Sequence, residues 1–440
     1  MTNTHARIVP ILAFMLSACS IVACHTVTEQ PPPSASPTPP SGLPAVCSSS
    51  DVFHVRVPYY YDRPSSPTFD YAFQFRTSSN ASAPVVIILG GGPGQTLIGA
   101  AAPEGAIPTS YNLIFTDPRG EGCNASQGAP FPIDFFKTEY LARDVLSMIS
   151  SLRLRDYIIY GASYGTVHAT VTASIAERER FNLPKAVVLE GVLGRAFIGG
   201  IDEYYQTFVT EWSRVKGLLD PRVVAMLSKT PLPLGYSSRD WATFTRLEMI
   251  SGEVPNSGHP LVNLLNPLVS DDPGRAAAAR DALDQAIRST LALQPTAVSL
   301  LPETLFCREL AGKWSGAWDL VGGNLVLSGQ DFCPLIKVPF TPYDAADWPV
   351  ATPIYYFQGP NDPTIAMSNA LHHFNVETRS RRNFVVVGGA SHEPLAVGLQ
   401  ALGCSNAVWD AIAFNPAGFV SALRQCPNWP IDWTPGYPSP

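Results

Sequence analysis

The sequence predicts an α/β protein: a mostly parallel sheet with helices on both faces and an inserted helical cap lobe. Short apolar, β-branched runs such as Val85-Val86-Ile87-Ile88-Leu89 recur and end in glycine. Stretches with helical spacing alternate with them, as in Leu141, Val145, Met148, Ile149 and Leu152. Strands alternating with helices build parallel sheets covered on both faces, and strands buried on both faces read as unbroken apolar runs. Composition agrees. Of 440 residues, 46% are hydrophobic and 15% charged, against about 25% charged in an average globular chain, which excludes a solvated, disordered chain. Lys plus Arg number 29 and Asp plus Glu 36, a net charge of −7. With no basic excess to neutralise phosphates, nucleic acid is not an expected partner. The 42 prolines imply many loops and argue against a helical bundle.

In chain order, Arg7 precedes an apolar stretch, Ile8 to Leu16. It is shorter than the roughly 20 residues that span a bilayer, so it reads as a signal peptide over 1–18. Leu16-Ser17-Ala18-Cys19 resembles a bacterial lipobox, which makes Cys19 the expected lipidation site, with Cys24 a less well-formed alternative. Residues 19–46, with the run Gln30-Pro31-Pro32-Pro33-Ser34-Ala35-Ser36-Pro37, read as an extended Pro-rich tether. The expected product is an exported lipoprotein of the bacterial cell envelope, anchored to a membrane. Ser20 after Cys19 points, by analogy with Gram-negative lipoproteins, to the outer membrane. No later segment is a transmembrane candidate.

The core is expected over 47–194 and 350–440, with the cap insertion over 195–349. Strands are expected at Pro84 to Leu89, Tyr111 to Thr116, Tyr157 to Tyr160, Ala186 to Leu189, Pro353 to Phe357 and Asn383 to Val387, and helices at Tyr140 to Arg153 and Thr166 to Arg178. In the lobe, helical stretches at Ile201 to Trp212 and Gly274 to Leu293 lie among prolines, with Trp314, Trp318 and Trp348. Six cysteines fall in the folded part. An exported chain favours disulfides, and nearest-neighbour pairing favours Cys307–Cys333 and Cys404–Cys426, then Cys47–Cys123, among 15 connectivities. No C-x-x-C pair is present, so no metal site is expected.

Gly161-Ala162-Ser163-Tyr164-Gly165 follows a strand and precedes a helix, the context of a nucleophile elbow. A serine nucleophile needs a base, and the base an orienting acid. His392, in Gly388-Gly389-Ala390-Ser391-His392, and Asp362, in Gly359-Pro360-Asn361-Asp362-Pro363, follow strands in the order serine, acid, histidine. His168 reads as packed on its helix, His372 and His373 as surface residues, and His259 as part of the lobe. Oxyanion donors are expected from the N–H of Tyr164 and from Gly91 or Gly92. The glycine loop lacks the Gly-Lys-Ser/Thr of a phosphate loop, so no nucleotide and no cofactor is expected.

Together, Gly90-Gly91-Gly92-Pro93-Gly94, Asp117-Pro118-Arg119-Gly120-Glu121-Gly122, the Ser163 motif, Asp362-Pro363-Thr364 and His392 resemble the proline iminopeptidases and tripeptidyl aminopeptidases of the α/β-hydrolases. The resemblance runs from about Val85 to Pro394. It departs at Gly90, where the family often has His, at Asn124, where Ser is usual, and at Ser391 and Glu393, which replace glycines. It implies an exported serine aminopeptidase of prolyl or tripeptidyl type acting on small peptides. A carboxylesterase with the same triad is the alternative, and a non-catalytic binding module the second. In the resembled family, acidic residues near the start of the lobe receive the substrate ammonium. Glu190, at the end of a strand, and Glu203, on the first lobe helix, are the candidates here, with an ion pair to Arg119 or Arg195 as the structural alternative for Glu190.

Overall fold

The computed structural model describes residues 43–79, 83–100, 107–126, 130–197, 199, 201–229, 231–252, 258–292, 300–312, 333–426 and 431–437. The signal, lipidation and nearly all of the tether assignments, with Trp314 and Trp318, lie outside them.

The described strands form one nine-stranded sheet. They are β1 (Val52–Pro58), β2 (Thr68–Arg76), β3 (Val85–Leu89), β4 (Asn112–Thr116), β5 (Tyr157–Ala162), β6 (Ala186–Glu190), β7 (Ile354–Gln358), β8 (Arg382–Val387) and β9 (Ile431–Gly436). Their spatial order is β1-β2-β4-β3-β5-β6-β7-β8-β9. The six strands β3 to β8 run parallel; β2 is antiparallel to both its neighbours and β9 to β8. The two-residue side-chain period sends alternate residues into two cores. Val85, Ile87, Leu89, Tyr157 and Ile159 enter one, and Val86, Ile88, Ile158 and Tyr160 the other.

Helices α1 (Thr138–Ser151) and α2 (Tyr164–Arg178) pack into the first core. Between β6 and β7 lie α3 (Ile201–Lys216), α4 (Pro221–Leu227), α5 (Ser238–Ser251), α6 (Pro260–Leu265), α7 (Pro273–Ala292), α8 (Leu300–Leu305), a π-helical turn Phe306–Leu310 and α9 (Cys333–Ile336). Then come α10 (Met367–Val376), α11 (Ser405–Phe414) and α12 (Phe419–Leu423); the last two cover the second face. The disulfides are Cys47–Cys123, Cys307–Cys333 and Cys404–Cys426.

The Asp117–Gly122 turn is an internal anchor. Asp117 accepts the N–H groups of Leu97, Ile98 and Cys123. Asn124 bonds both the N–H and the carbonyl of Ala72 on β2, at 2.6 and 3.2 Å, a two-way link that needs an amide rather than a hydroxyl. Arg119 is fully buried. Its guanidinium makes two bonds to Asp144 on α1, at 2.8 and 2.7 Å, and donates to the carbonyls of Tyr59, Phe135 and Pro58. Removing one partner of such a pair leaves a buried charge uncompensated. Asp144→Ala is therefore expected to cost about 3–5 kcal/mol, read as a lower urea midpoint; an unchanged midpoint would contradict this account.

Candidate active site

The carboxyl ends of β5, β6, β7 and β8 bring the expected residues together. Ser163 has φ 56° and ψ −126°, a backbone that side chains rarely adopt. Its N–H donates to the Glu190 carbonyl at 2.8 Å, and its own carbonyl accepts the N–H and hydroxyl of Thr166 at 2.9 and 2.6 Å. The flanking glycines are required by space. A Cβ on Gly161 would lie 2.2 Å from the Gly165 carbonyl oxygen, and one on Gly165 would lie 2.2 Å from that of Leu89.

His392 Nδ1 lies 2.8 Å from Asp362 Oδ2, with both side chains buried. Asp362 Oδ2 also accepts Gln358 Nε2 at 3.0 Å, while Oδ1 accepts the N–H groups of Thr364 and Ile365 at 2.7 and 2.9 Å. Four donors thus fix the carboxylate. With Nδ1–H pointed at it, Nε2 is the basic nitrogen. Burial pulls the His392 pKa down, but Asp362, Glu393 and Glu190 outweigh it and the net shift is upward. Gly191, at φ +58°, leaves room for the ring: a Cβ there would lie 2.6 Å from His392 Cε1. Ser163 and the imidazole therefore flank the Glu190–Gly191 segment.

The lobe holds the histidine's loop. Ser391 Oγ donates to the Met249 carbonyl at 2.8 Å and the His392 N–H to that of Ile250 at 3.3 Å, both at the end of α5. Glu393 is buried beside the ring. Burial first, then Glu190, push its carboxyl up to about 7.

Tyr164 opens α2, so its N–H has no carbonyl one turn back to bond. Its hydroxyl lies 2.5 Å from Thr138 Oγ1, which also bonds Glu309 of the π-helical turn. Of the two glycine donors, Gly91 is already engaged: its N–H donates to Gln95 Oε1 at 2.6 Å. Gly92 N–H has no partner among the described residues.

Glu190 corrects the expectation of a substrate carboxylate. It is fully buried. Oε1 accepts the N–H groups of Leu395 and Ala396 at 2.6 and 3.0 Å, and Oε2 the Tyr160 hydroxyl. Nor is its partner an arginine, since Arg119 pairs with Asp144 and Arg195 with Glu203 at 3.3 Å. Glu203 also accepts the Gly199 N–H at 3.2 Å, so it too is bonded within the protein. His373, read as a surface residue, is instead buried between Thr170 Oγ1 at 2.8 Å and the Tyr356 hydroxyl at 3.1 Å.

Sequence reasoning missed Gln358, Ser391, Gln95, Thr138 and Glu309. Only Gln95 and Ser391 carried a signal, by adjoining the glycine loop and His392. Among the described residues no cluster of His, Cys, Asp or Glu could hold a metal ion.

Because Glu190 holds the His392 loop rather than a substrate, Glu190→Gln is expected to lower turnover of an acyl ester and of a free-amine peptide amide by the same factor. A loss confined to the free amine, in parallel assays, would restore Glu190 to the substrate pocket.

No protein-family model and no curated protein matches the chain. Solved structures do. They include the esterase RhEst1 from Rhodococcus sp. ECU1013, at 14% identity and TM-score 0.41 over 85% of this chain and 97% of that one. A serine hydrolase from Cycloclasticus zankles has 14% identity and TM-score 0.39 over the same shares, and a proline iminopeptidase from Mycobacterium smegmatis 14% and 0.38, again over 85% and 97%. By its own strand order, its antiparallel second strand and its helical insertion after β6, the chain has the α/β-hydrolase fold.

Proposed function

We propose that the protein is a serine hydrolase in which Ser163 forms an acyl-enzyme, His392 is the base and Asp362 orients it. The buried Asp362–His392 pair beside a serine on a strained turn carries this reading. Ser163 Oγ attacks the substrate carbonyl carbon and its proton passes to His392 Nε2. The carbonyl oxygen becomes an oxyanion facing the N–H groups of Tyr164 and Gly92. His392 returns the proton to the leaving amine or alcohol, and water repeats the sequence on the acyl-enzyme. Loss of one oxyanion donor costs about 10²–10³ in kcat.

The preferred substrate is a short peptide with a free amino terminus, which requires a carboxylate near the acyl site. With Glu190 and Glu203 engaged, Glu303 is the candidate. It is on α8, which lies over the glycine loop: a Cβ on Gly94 would sit 2.9 Å from Pro302 Cγ. Glu303 Oε2 is buried without a hydrogen-bond partner, and after burial Glu303 is the largest cause that pushes the Glu121 carboxyl up to about 8. An ammonium beside Glu303 would satisfy that oxygen. The carboxylesterase reading is favoured by one observation: both carboxylates first expected to receive the ammonium are bonded inside the protein. Export and lipid attachment at Cys19 belong to the proposal, and three disulfides suit an oxidising compartment.

A fluorophosphonate is expected to label Ser163 alone, with labelling abolished in Ser163→Ala; persistent labelling would remove Ser163 from the role. N-acetylation of a peptide substrate is expected to abolish its cleavage. Equal cleavage of the acetylated peptide would select the esterase or an endopeptidase. His392 must be neutral to accept a proton, and its pKa is raised above 6.5. Activity is thus expected to fall as pH drops through a midpoint above 6.5, and Asp362→Asn to move that midpoint down as well as reduce turnover. A midpoint unmoved in that variant would separate the acid limb from His392.

A further inference from the structure

We infer that Gln95 is a positioning residue for the oxyanion pocket; the inference rests on the acyl-enzyme reading above. Its side chain is almost wholly buried, at 4% exposure. Oε1 accepts the Gly91 N–H at 2.6 Å, and the Gln95 N–H reaches back to the Gly91 carbonyl at 3.3 Å. Gln95 therefore grips both polar groups of Gly91.

The glycine loop admits no side chain at this point because it is crowded. A Cβ on Gly90 would lie 2.9 Å from Gln95 Oε1, and one on Gly91 would lie 3.0 Å from Ser163 Cβ. The Gln95 amide oxygen lies 3.6 Å from that same added Cβ on Gly91, so the amide and the nucleophile both crowd this position. Three consecutive glycines have the largest conformational entropy to lose, and nothing in their own side chains fixes where an N–H points. Oxyanion donors act by being oriented before the charge develops. The Gly91 N–H held by the Gln95 side chain belongs to the peptide plane before Gly91, and the Gly91 carbonyl held by the Gln95 N–H belongs to the plane that carries the Gly92 N–H. With the planes on both sides of Gly91 fixed, the free Gly92 N–H is directed. Gln95 thus converts a flexible glycine run into a directed donor without touching the substrate, its side chain fixing the first of the two planes and its main chain the second.

Two variants test this. Gln95→Met keeps the length and removes the acceptor; Gln95→Asn keeps the amide but is one methylene too short. Each is expected to lower kcat for an acyl ester by about 10²-fold, the cost of a misplaced catalytic group or a lost donor, with KM little changed. Each should weaken inhibition by a trifluoromethyl ketone, whose serine adduct carries the oxyanion, by the same factor as kcat/KM. Unaltered kcat in both variants would overturn the inference. So would losses shared equally between KM and kcat, or a collapse of Tm in both, which would make Gln95 only structural. Failure of the wild type to take a fluorophosphonate on Ser163 would instead overturn the underlying reading.

Discussion

The N–H of Ser163 and the chain that follows His392 both end on one residue, Glu190. The main-chain carbonyl of Glu190 receives the serine N–H, and its carboxylate receives Leu395 and Ala396, immediately beyond the histidine. The Tyr160 hydroxyl from β5 completes the set. Burial raises the proton affinity of this carboxylate, and the same hydrogen bonds, with His392, oppose that rise. A buried carboxylate with donors on both oxygens has little freedom to turn, since any rotation leaves a donor unsatisfied in a low-dielectric interior. Ser163 and His392 come from distant parts of the chain, and Glu190 bonds the supports of both.

Those bonds allow the strain at Ser163 to persist. A non-glycine residue at positive φ is retained only where its surroundings over-determine it. Here the N–H and carbonyl of Ser163 are both bonded, and Gly161 and Gly165 let α2 come close enough to β3 and β5 to hold the turn. Asp362 is fixed in the same manner, by main-chain N–H groups from its own turn and by Gln358 from β7.

What the sequence made legible follows from these constraints. The doubly buried strands β3 to β8 stand out as apolar runs, and the turns after them stand out because they need glycine, aspartate or proline. β1, β2 and β9 were not legible. β1 and β9 are half exposed, their residues alternate irregularly, and β9 contains Pro435. Ser163, Asp362 and His392 stand out in the sequence because each sits in a turn with its own local chemistry. Glu190 was located correctly at a strand end but given the wrong partner, since its three donors lie on β5 and on a segment far along the chain. His373 was misread because its polar flanks suggested a surface helix, whereas Thr170 and Tyr356 satisfy both ring nitrogens inside. The partners of buried polar groups are long-range facts with no local pattern.

The lobe cannot be treated as a cover laid over a finished core. The carbonyls of Met249 and Ile250 end α5 and bond Ser391 and His392, and a Cβ on Gly252 would fall 2.2 Å from Ser391 Cβ. From the other side, a Cβ on Gly359 would fall 1.9 Å from the Ser391 carbonyl oxygen. Ser391 is therefore held between the lobe and the loop that carries Asp362, and a glycine in its place would lose the hydroxyl bond to Met249. At the opposite wall, Glu309 of the lobe bonds Thr138, which bonds the hydroxyl of Tyr164. The inserted segment thus reaches His392 through the end of α5 and the Tyr164 side chain, by way of Thr138, through Glu309. Displacing α5 would therefore act directly on the loop that carries His392.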